Sequence, residues 1–229
     1  MFNIFKKYHW ISNFPQDYPW YKKVLANITY FLTGIIIHPR KNLLTKKDLL
    51  KARIKIRRGD IALLGNLRES SSLLIGGIFT HSAIYLGHKR FINAVADGVG
   101  YMSLYHVFTE YDTLAVLRLP KHTRKKRRII RKAIRFAKQQ IGKPYDFDFS
   151  KGAERFFCTE LVNTSFRKAG YSTGIATFGK FSLLSGRIEK SLTTVRKALK
   201  PDHFLQGKFR VIFISHNLEW KGKKLVLKE

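Results

Sequence analysis

Cysteine is almost absent from this chain, because Cys158 is the single one among 229 residues. One cysteine excludes an internal disulfide and any zinc site built from cysteines, and it is typical of a protein from a reducing compartment. No two histidines share a face at the spacing that metal ligands require. We therefore expect neither a metal nor another cofactor.

Acidic residues are also scarce: 15 Asp and Glu stand against 44 Lys and Arg, which gives a formal net charge of +29. Such an excess of positive charge favours an anionic partner. The candidate partners are a surface of phosphate headgroups, a nucleic acid and an acidic protein. The alternative is a surface that is simply basic and soluble. The basic residues are spread along the chain and are densest between Lys121 and Arg135.

Long hydrophobic runs are missing as well. The first residues lack the continuous apolar core of a secretory signal. The most apolar segment, Val24 to Ile37, is too short to span a bilayer and contains Asn27, Thr29 and Thr33. It is either a helix packed on the domain or an interfacial helix, since tryptophan and lysine residues lie beside it. We expect a cytoplasmic or membrane-peripheral protein.

What remains is the composition of a folded domain, with 45% hydrophobic and 14% aromatic residues. We predict a helical, aromatic and basic extension over 1–50, a main folded domain over 51–215 and a basic tail over 216–229. Strands grouped before helices favour an α+β fold, with an antiparallel sheet or small open barrel packed against helices. The predicted strands are 61–65, 79–87, 91–100, 113–119 and 209–215, and the clearest helices are 121–144 and 158–170.

Cys158 stands at the predicted start of the second of these helices, CTELVNTSFRKAG. One interpretation is a small packing residue, because the cysteine shares an inward helical face with Leu161, Val162 and Phe166. The other is a nucleophile, because the positive end of a helix dipole lowers a thiol pKa. A nucleophilic thiol also needs a base and a group that orients the base.

His81, in the alternating strand FTHSAIYLG, is the candidate base. If the following turn pairs Ala83 with Asn93, then Asn93 lies diagonally across from His81, within reach of its ring. A slip of one residue would put the two side chains on opposite faces of the sheet. Asp97 is a second candidate to orient the ring, although its place before Gly98 is more typical of a turn.

Five short motifs follow one another in a distinctive order: GDIALLG, THSAIYLG, FINA, GKPYDFDF and CTELV. Together they resemble the circularly permuted papain-like hydrolases, and most closely the YaeF/YiiX-type branch of the permuted NlpC/P60 superfamily, which includes relatives of lecithin retinol acyltransferase. The resemblance extends from Arg57 to Ala169, with a weaker match at KPDHF.

The resemblance implies a nucleophile at Cys158 and a general base at His81. The third polar residue falls at Asn93, where relatives often carry an acid, and Tyr145 matches a tyrosine that helps to hold the oxyanion. Glu160 belongs to the C-[ST]-E-L-V signature, and we interpret it as structural support for the helix.

The implied activity is that of a cysteine amidase or peptidase that forms a thioacyl intermediate on an amide. The first alternative is a lipid acyl hydrolase or acyltransferase at an anionic membrane surface, so the substrate is an amide- or ester-bearing peptide or lipid. The second alternative, which has less support, is a non-enzymatic basic module that binds nucleic acid.

Overall fold

The protein is described from a computed structural model. The structure describes residues 9–37, 44–67, 69–70, 72, 75, 77–149, 154–175 and 199–228. From the sequence we also predict a glycine- and serine-rich connection over 171–186 and a partly helical segment over 188–204, and both lie largely outside the described residues.

A six-stranded sheet forms the centre of the fold, in the order β4-β3-β2-β1-β5-β6, and every neighbouring pair is antiparallel. Its strands are β1 (Ile61–Gly65), β2 (His81–Gly87), β3 (Arg90–Val95), β4 (Gly98–Ser103), β5 (Thr113–Arg118) and β6 (Arg210–Ile214). A separate hairpin consists of β7 (Leu218–Lys221) and β8 (Lys224–Leu227). The predicted α+β class with an antiparallel sheet is confirmed.

Six helices accompany the sheet in the described part of the chain. They are α1 (Trp20–Thr33), α2 (Lys46–Lys55), α3 (Leu104–Glu110), α4 (Lys126–Lys138), α5 (Cys158–Lys168) and α6 (His203–Gln206). Thr45 and Asp48 form a capping box at the start of α2, as their spacing indicates. None of the described helices has the length and apolar character that crossing a bilayer requires.

The sheet has an apolar cluster on each face. One includes Ile61, Leu63 and Ile84 and is covered by α4 and α5, and the other includes Ala62, Leu64 and Phe91. Both faces of the central strands are therefore buried, which explains why IALLG is apolar at consecutive positions. Helix α5 packs against α4, β2 and β3, so its first residue is held close to two neighbouring strands on one side of the sheet.

Three predicted boundaries differ from the structure. The strand predicted over 91–100 is two strands, because the chain reverses at Ala96–Asp97 and Gly98 adopts a left-handed φ of 106°. The long basic helix ends at Lys138 and continues only as turns. The segment 216–229 contains the β7–β8 hairpin, whose Leu218 and Leu225 are buried in the main cluster. The division of the chain near residues 50 and 216 stays a prediction.

Helix α1 packs on the protein with the side that carries its polar residues. Asn27 and Ala26 are buried, and Asn27 Oδ1 accepts a hydrogen bond from the Ile11 N–H at 2.7 Å. Most aromatic and aliphatic side chains of α1 lie on the other side and are exposed, whereas the half-buried Tyr30 lies on the packed side. This arrangement is the reverse of the usual amphipathic helix, whose apolar face turns toward the core.

Candidate active site

Cys158 is the first residue of α5 and follows Phe157, whose extended backbone ends the preceding segment. The helix buries the face predicted from its sequence, including Leu161, Val162 and Phe166. Cys158 itself is 7% exposed, so the residue is largely covered. The structure therefore has both the inward helical face that a packing residue would occupy and the helix-tip position that a nucleophile would occupy. The groups around the sulfur distinguish between these two interpretations.

Backbone N–H groups surround the sulfur. Those of Ser82, Thr159 and Cys158 itself, together with the Ser82 side chain, lower the pKa of the thiol, but burial outweighs them and the pKa is raised. The helix start alone led us to expect a lowered pKa. Desolvation reverses that expectation, so the resting thiol is neutral at neutral pH.

Ser82 reaches the sulfur because of a local opening in the sheet. The Tyr85 N–H donates to the Asp60 carbonyl on the β1 side. Since successive N–H groups point to opposite neighbours, that of Ser82 points toward β3. The ladder between β2 and β3 begins only at Ile84, which leaves this N–H for the sulfur. The thiol thus lies beside the residue that follows His81 in the strand.

His81 and Asn93 meet as the predicted register requires. The pairs Ile84–Ile92 and Tyr85–Phe91 fix a register that places Asn93 diagonally across from His81. Asn93 Nδ2 lies 3.1 Å from His81 Nε2, and both side chains are buried. The amide nitrogen, and not the oxygen, is the atom nearest the ring.

Burial lowers the pKa of His81 to about 4, and the neighbouring charge of His106 contributes in the same direction. The imidazole is therefore neutral at neutral pH and has a nitrogen that can accept a proton. A neutral thiol and a neutral imidazole in the same site form a different resting state from the thiolate–imidazolium pair of a strongly activated cysteine site.

Tyr145 also lies near the sulfur. Burial, followed by the charge that a Cys158 thiolate would carry, raises the pKa of Tyr145 well above its ordinary value. Its hydroxyl is therefore a hydrogen-bond donor at every pH of interest. An isolated parallel bridge to Phe156 holds the backbone of Tyr145 next to the segment that leads into α5.

Tyr111 is a neighbour of the site that sequence reasoning missed. Its ring stacks on His81 with the centroids 5.8 Å apart and the planes inclined by 10°. Burial and then the Cys158 charge raise its pKa, which places Tyr111 within electrostatic range of the sulfur as well. No local pattern marks this tyrosine, because it lies between α3 and β5 and reaches His81 only in the folded sheet.

Glu160 occupies the first turn of α5, where the Phe157 N–H supports it by hydrogen bonding. Burial and the charge of Asp146 nevertheless raise its pKa to about 8, so the side chain is mostly protonated at neutral pH. Asp146 is fully buried and pairs with Arg155 at 3.2 Å. These contacts support the interpretation of Glu160 as a group that holds the helix start.

Asp202, in the KPDHF segment, supports the approach to His81 from far away in sequence. Its carboxylate accepts long hydrogen bonds of 3.4 Å from the N–H groups of Ile78 and Phe79, just before β2. Asp97 is placed elsewhere: it lies in the turn between β3 and β4, and its carboxylate is 2.5 Å from His9 Nε2.

A family model described as the permuted papain-like amidase enzyme, YaeF/YiiX, C92 family, matches residues 55–206. The chain belongs to this family. Its members are amidase enzymes, so the amidase class and the permuted papain-like fold expected from the motifs are confirmed. No curated protein matches the chain.

Among solved structures, the chain is similar to the metalloprotein YiiX from Escherichia coli O157:H7. The sequence identity is 22% and the TM-score 0.54, with 69% of this chain and 97% of that one covered. This likeness supports the fold. In the described part of the present chain, no three His, Cys, Asp or Glu side chains are grouped so that they would hold a metal ion.

Proposed function

We propose that the chain is a cysteine amidase whose nucleophile is Cys158 and whose general base is His81. The observation that carries the proposal is the 3.1 Å contact between Asn93 and a buried, neutral imidazole, in the strand that also meets the thiol at Ser82. An imidazole with a pKa of about 4 is a weak resting base. It becomes stronger as a thiolate forms next to it, because the opposite charge favours the imidazolium.

The first half of the reaction transfers the acyl group to sulfur. Cys158 Sγ attacks the carbonyl carbon of the amide while its proton passes to His81. The oxygen that becomes negative accepts hydrogen bonds from the N–H groups at the helix start and from the Tyr145 hydroxyl. The imidazolium then gives its proton to the amide nitrogen, the C–N bond breaks, and an amine leaves the thioacyl enzyme.

The second half releases the acyl group. His81 takes a proton from water, whose oxygen attacks the thioester carbon and forms a second tetrahedral intermediate. This intermediate collapses to a carboxylic acid as the C–S bond breaks, and the proton returns to sulfur. Asn93 holds the His81 ring throughout. If His81 Nδ1 acts as the base, Nε2 carries the hydrogen and must donate it to the Asn93 Oδ1. A half-turn of the Asn93 side chain about its Cβ–Cγ bond provides this arrangement.

The test is covalent labelling of the folded chain at neutral pH with a chloroacetamide probe, read by intact mass. We expect stoichiometric modification at Cys158 that His81→Ala abolishes. The matched control is His122→Ala, which removes an exposed histidine and should label like the wild type. Equal, slow labelling of all three proteins would mean that Cys158 is an ordinary buried sulfur, and the proposal would fail.

A lipid acyl hydrolase or acyltransferase is the second candidate, because the exposed apolar face of α1 is suited to a membrane. It uses the same chemistry on an ester or amide held in a bilayer. Activity on vesicle-borne lipid that deletion of residues 1–40 removes, with no activity on soluble amides, would favour it. The non-enzymatic alternative is a module that binds nucleic acid. It requires salt-dependent binding of DNA or RNA that Cys158→Ala leaves unchanged.

A further inference from the structure

The exposed side of α1 is a continuous apolar face. At 100° per residue, its side chains fall within an arc of about 140° that contains no charged residue. All are exposed, from Val24 at 38% to Trp20 at 76%. The face, called here the α1 apolar face, consists of Trp20, Tyr21, Val24, Leu25, Ile28, Phe31 and Leu32.

The orientation of α1 is fixed by specific contacts on its other side. Besides the bond between Ile11 and Asn27, Lys22 Nζ lies 3.3 Å from the Asp148 carboxylate, and the Tyr30 ring packs edge-on against His9. The helix cannot roll to bury its apolar face without losing these contacts. A contiguous apolar patch of this kind that is exposed to solvent is typical of an interaction site.

Charge identifies the kind of partner. Between Asp17 and Asp48 the sequence contains no acidic residue, whereas the basic residues there are Lys22, Lys23, Arg40, Lys41, Lys46 and Lys47. An anionic bilayer satisfies both features, because its acyl region takes up the apolar side chains and its headgroups attract the lysines and arginines. A second copy of a chain with net charge +29 would be repelled, and nucleic acid offers no apolar surface for aliphatic side chains.

We infer that the α1 apolar face docks the protein on a membrane surface that contains anionic lipid. Helix α1 lies in the interface with its axis along the membrane, and the domain sits above it. The inference does not depend on the proposed chemistry, since it concerns binding alone.

The segment that leads into α1 is connected to the candidate active site through ring contacts. Phe14, in the segment that leads into α1, packs on Phe147 at 6.0 Å between ring centroids, and Phe147 packs on Tyr145 at 4.9 Å. Tyr145 in turn lies within electrostatic range of Cys158. Helix α1 and the candidate active site are therefore linked through packed rings.

The experiment is vesicle co-sedimentation of the full chain with phosphatidylcholine vesicles, prepared with and without phosphatidylglycerol. The test variant combines Leu25→Ser, Ile28→Ser and Leu32→Ser on the α1 apolar face. The control variant combines Leu50→Ser, Ile54→Ser and Tyr105→Ser, which removes the same number of exposed apolar side chains from other helices. Circular dichroism and thermal melting establish that both variants are folded.

We expect the wild type to bind vesicles with phosphatidylglycerol and to bind much less to phosphatidylcholine alone. The test variant should need about tenfold more lipid for half-binding, and the control variant should bind like the wild type. Emission of Trp20 in a chain with Trp10→Phe and Trp220→Phe should shift to the blue only with anionic vesicles.

Three results would overturn the inference. The first is a wild type that does not bind vesicles, and the second is a test variant that binds as well as the wild type, since charge alone would then account for binding. The third is a wild-type dimer that the test variant converts to a monomer without any vesicle binding, which would assign the face to a second copy. Probe labelling of Cys158 in solution is independent of all three, so failure here leaves the proposed chemistry standing.

Discussion

Helix α5 buries its apolar residues, whereas helix α1 exposes most of its own. Helix α5 also places one sulfur beside the start of β2, whereas α1 buries Asn27 and exposes leucine, isoleucine and tryptophan. Burial by the fold explains α5 completely, because its contacts lie within the chain. The apolar face of α1 has no such explanation within the described structure. The difference separates a helix that helps to form the candidate site from one whose apolar side chains are left exposed.

The largest expected effect is on catalysis, and it should appear for a change in the candidate site beside α5 but not for a change in α1. His81→Ala should lower kcat on a soluble amide substrate by roughly 10²–10⁴-fold, which is the usual contribution of a general base. The triple serine variant of the α1 apolar face should keep its kcat on the same substrate. Steady-state kinetics of the two variants measure both effects, and a similar loss in each would remove the distinction between the helices.

Stability should separate the two helices next. Leu161 on α5 is fully buried, so Leu161→Ala should lower the free energy of unfolding by about 2–5 kcal/mol. Leu25 on α1 is more than half exposed, and Leu25→Ala should change the free energy by less than about 0.5 kcal/mol. Urea titration of each variant measures the difference. Equal losses would indicate that the outer side of α1 is packed after all.

The site should also respond to acid. The pKa of His81 is about 4 in the folded chain against 6.5 in the unfolded chain, so the unfolded state binds the proton first. The associated stability is complete above pH 6.5 and is lost as the pH falls toward 4, by about 3 kcal/mol. His81→Gln should remove this part of the dependence.

The measurement is urea unfolding at pH 7 and pH 4 for the wild type and His81→Gln. Subtracting the free energies of unfolding of the two proteins at each pH cancels the contribution of the carboxylates, because these groups titrate in the same range in both proteins. Parallel pH curves would mean that His81 is protonated in the folded chain.

Asn93→Ala should have the smallest effect, about a tenfold loss of kcat with little change in KM, because it removes one hydrogen bond that orients the ring. Asn93→Asp is the informative partner: a carboxylate beside His81 raises the pKa of the imidazole and should move the acid limb of the pH–rate profile upward. An unchanged profile in Asn93→Asp would show that residue 93 does not act through the ring.

Local patterns in the sequence predicted the parts of the site that local structure determines. Alternation in FTHSAIYLG and the short turn after it were sufficient for the contact between His81 and Asn93, and the helical pattern after Cys158 was sufficient for its place at a helix tip. The assignment of catalytic roles to these residues and to Tyr145 stays a prediction.

What the sequence did not reveal depends on tertiary structure. Tyr111 and Asp202 reach the β2 strand from distant positions, and no period or spacing encodes such contacts. The thiol pKa was also misjudged, because the helix dipole is visible in a sequence whereas desolvation depends on everything packed around the sulfur. Likewise, the pattern of α1 shows that the helix has two faces but not which of them the protein covers.

The turn between β2 and β3 has a practical consequence. The register that aligns Asn93 is set by the Ile84–Ile92 and Tyr85–Phe91 pairs, whose side chains are buried, whereas His88 and Lys89 at the tip are exposed and adopt left-handed φ angles of 50° and 58°. A short epitope or fluorescent tag inserted between these two residues would extend into solvent from a strand whose inner pairing is already locked. The hairpin thus offers an attachment point for following the protein in a cell, at the opposite end of the strand from the groups proposed to do its chemistry.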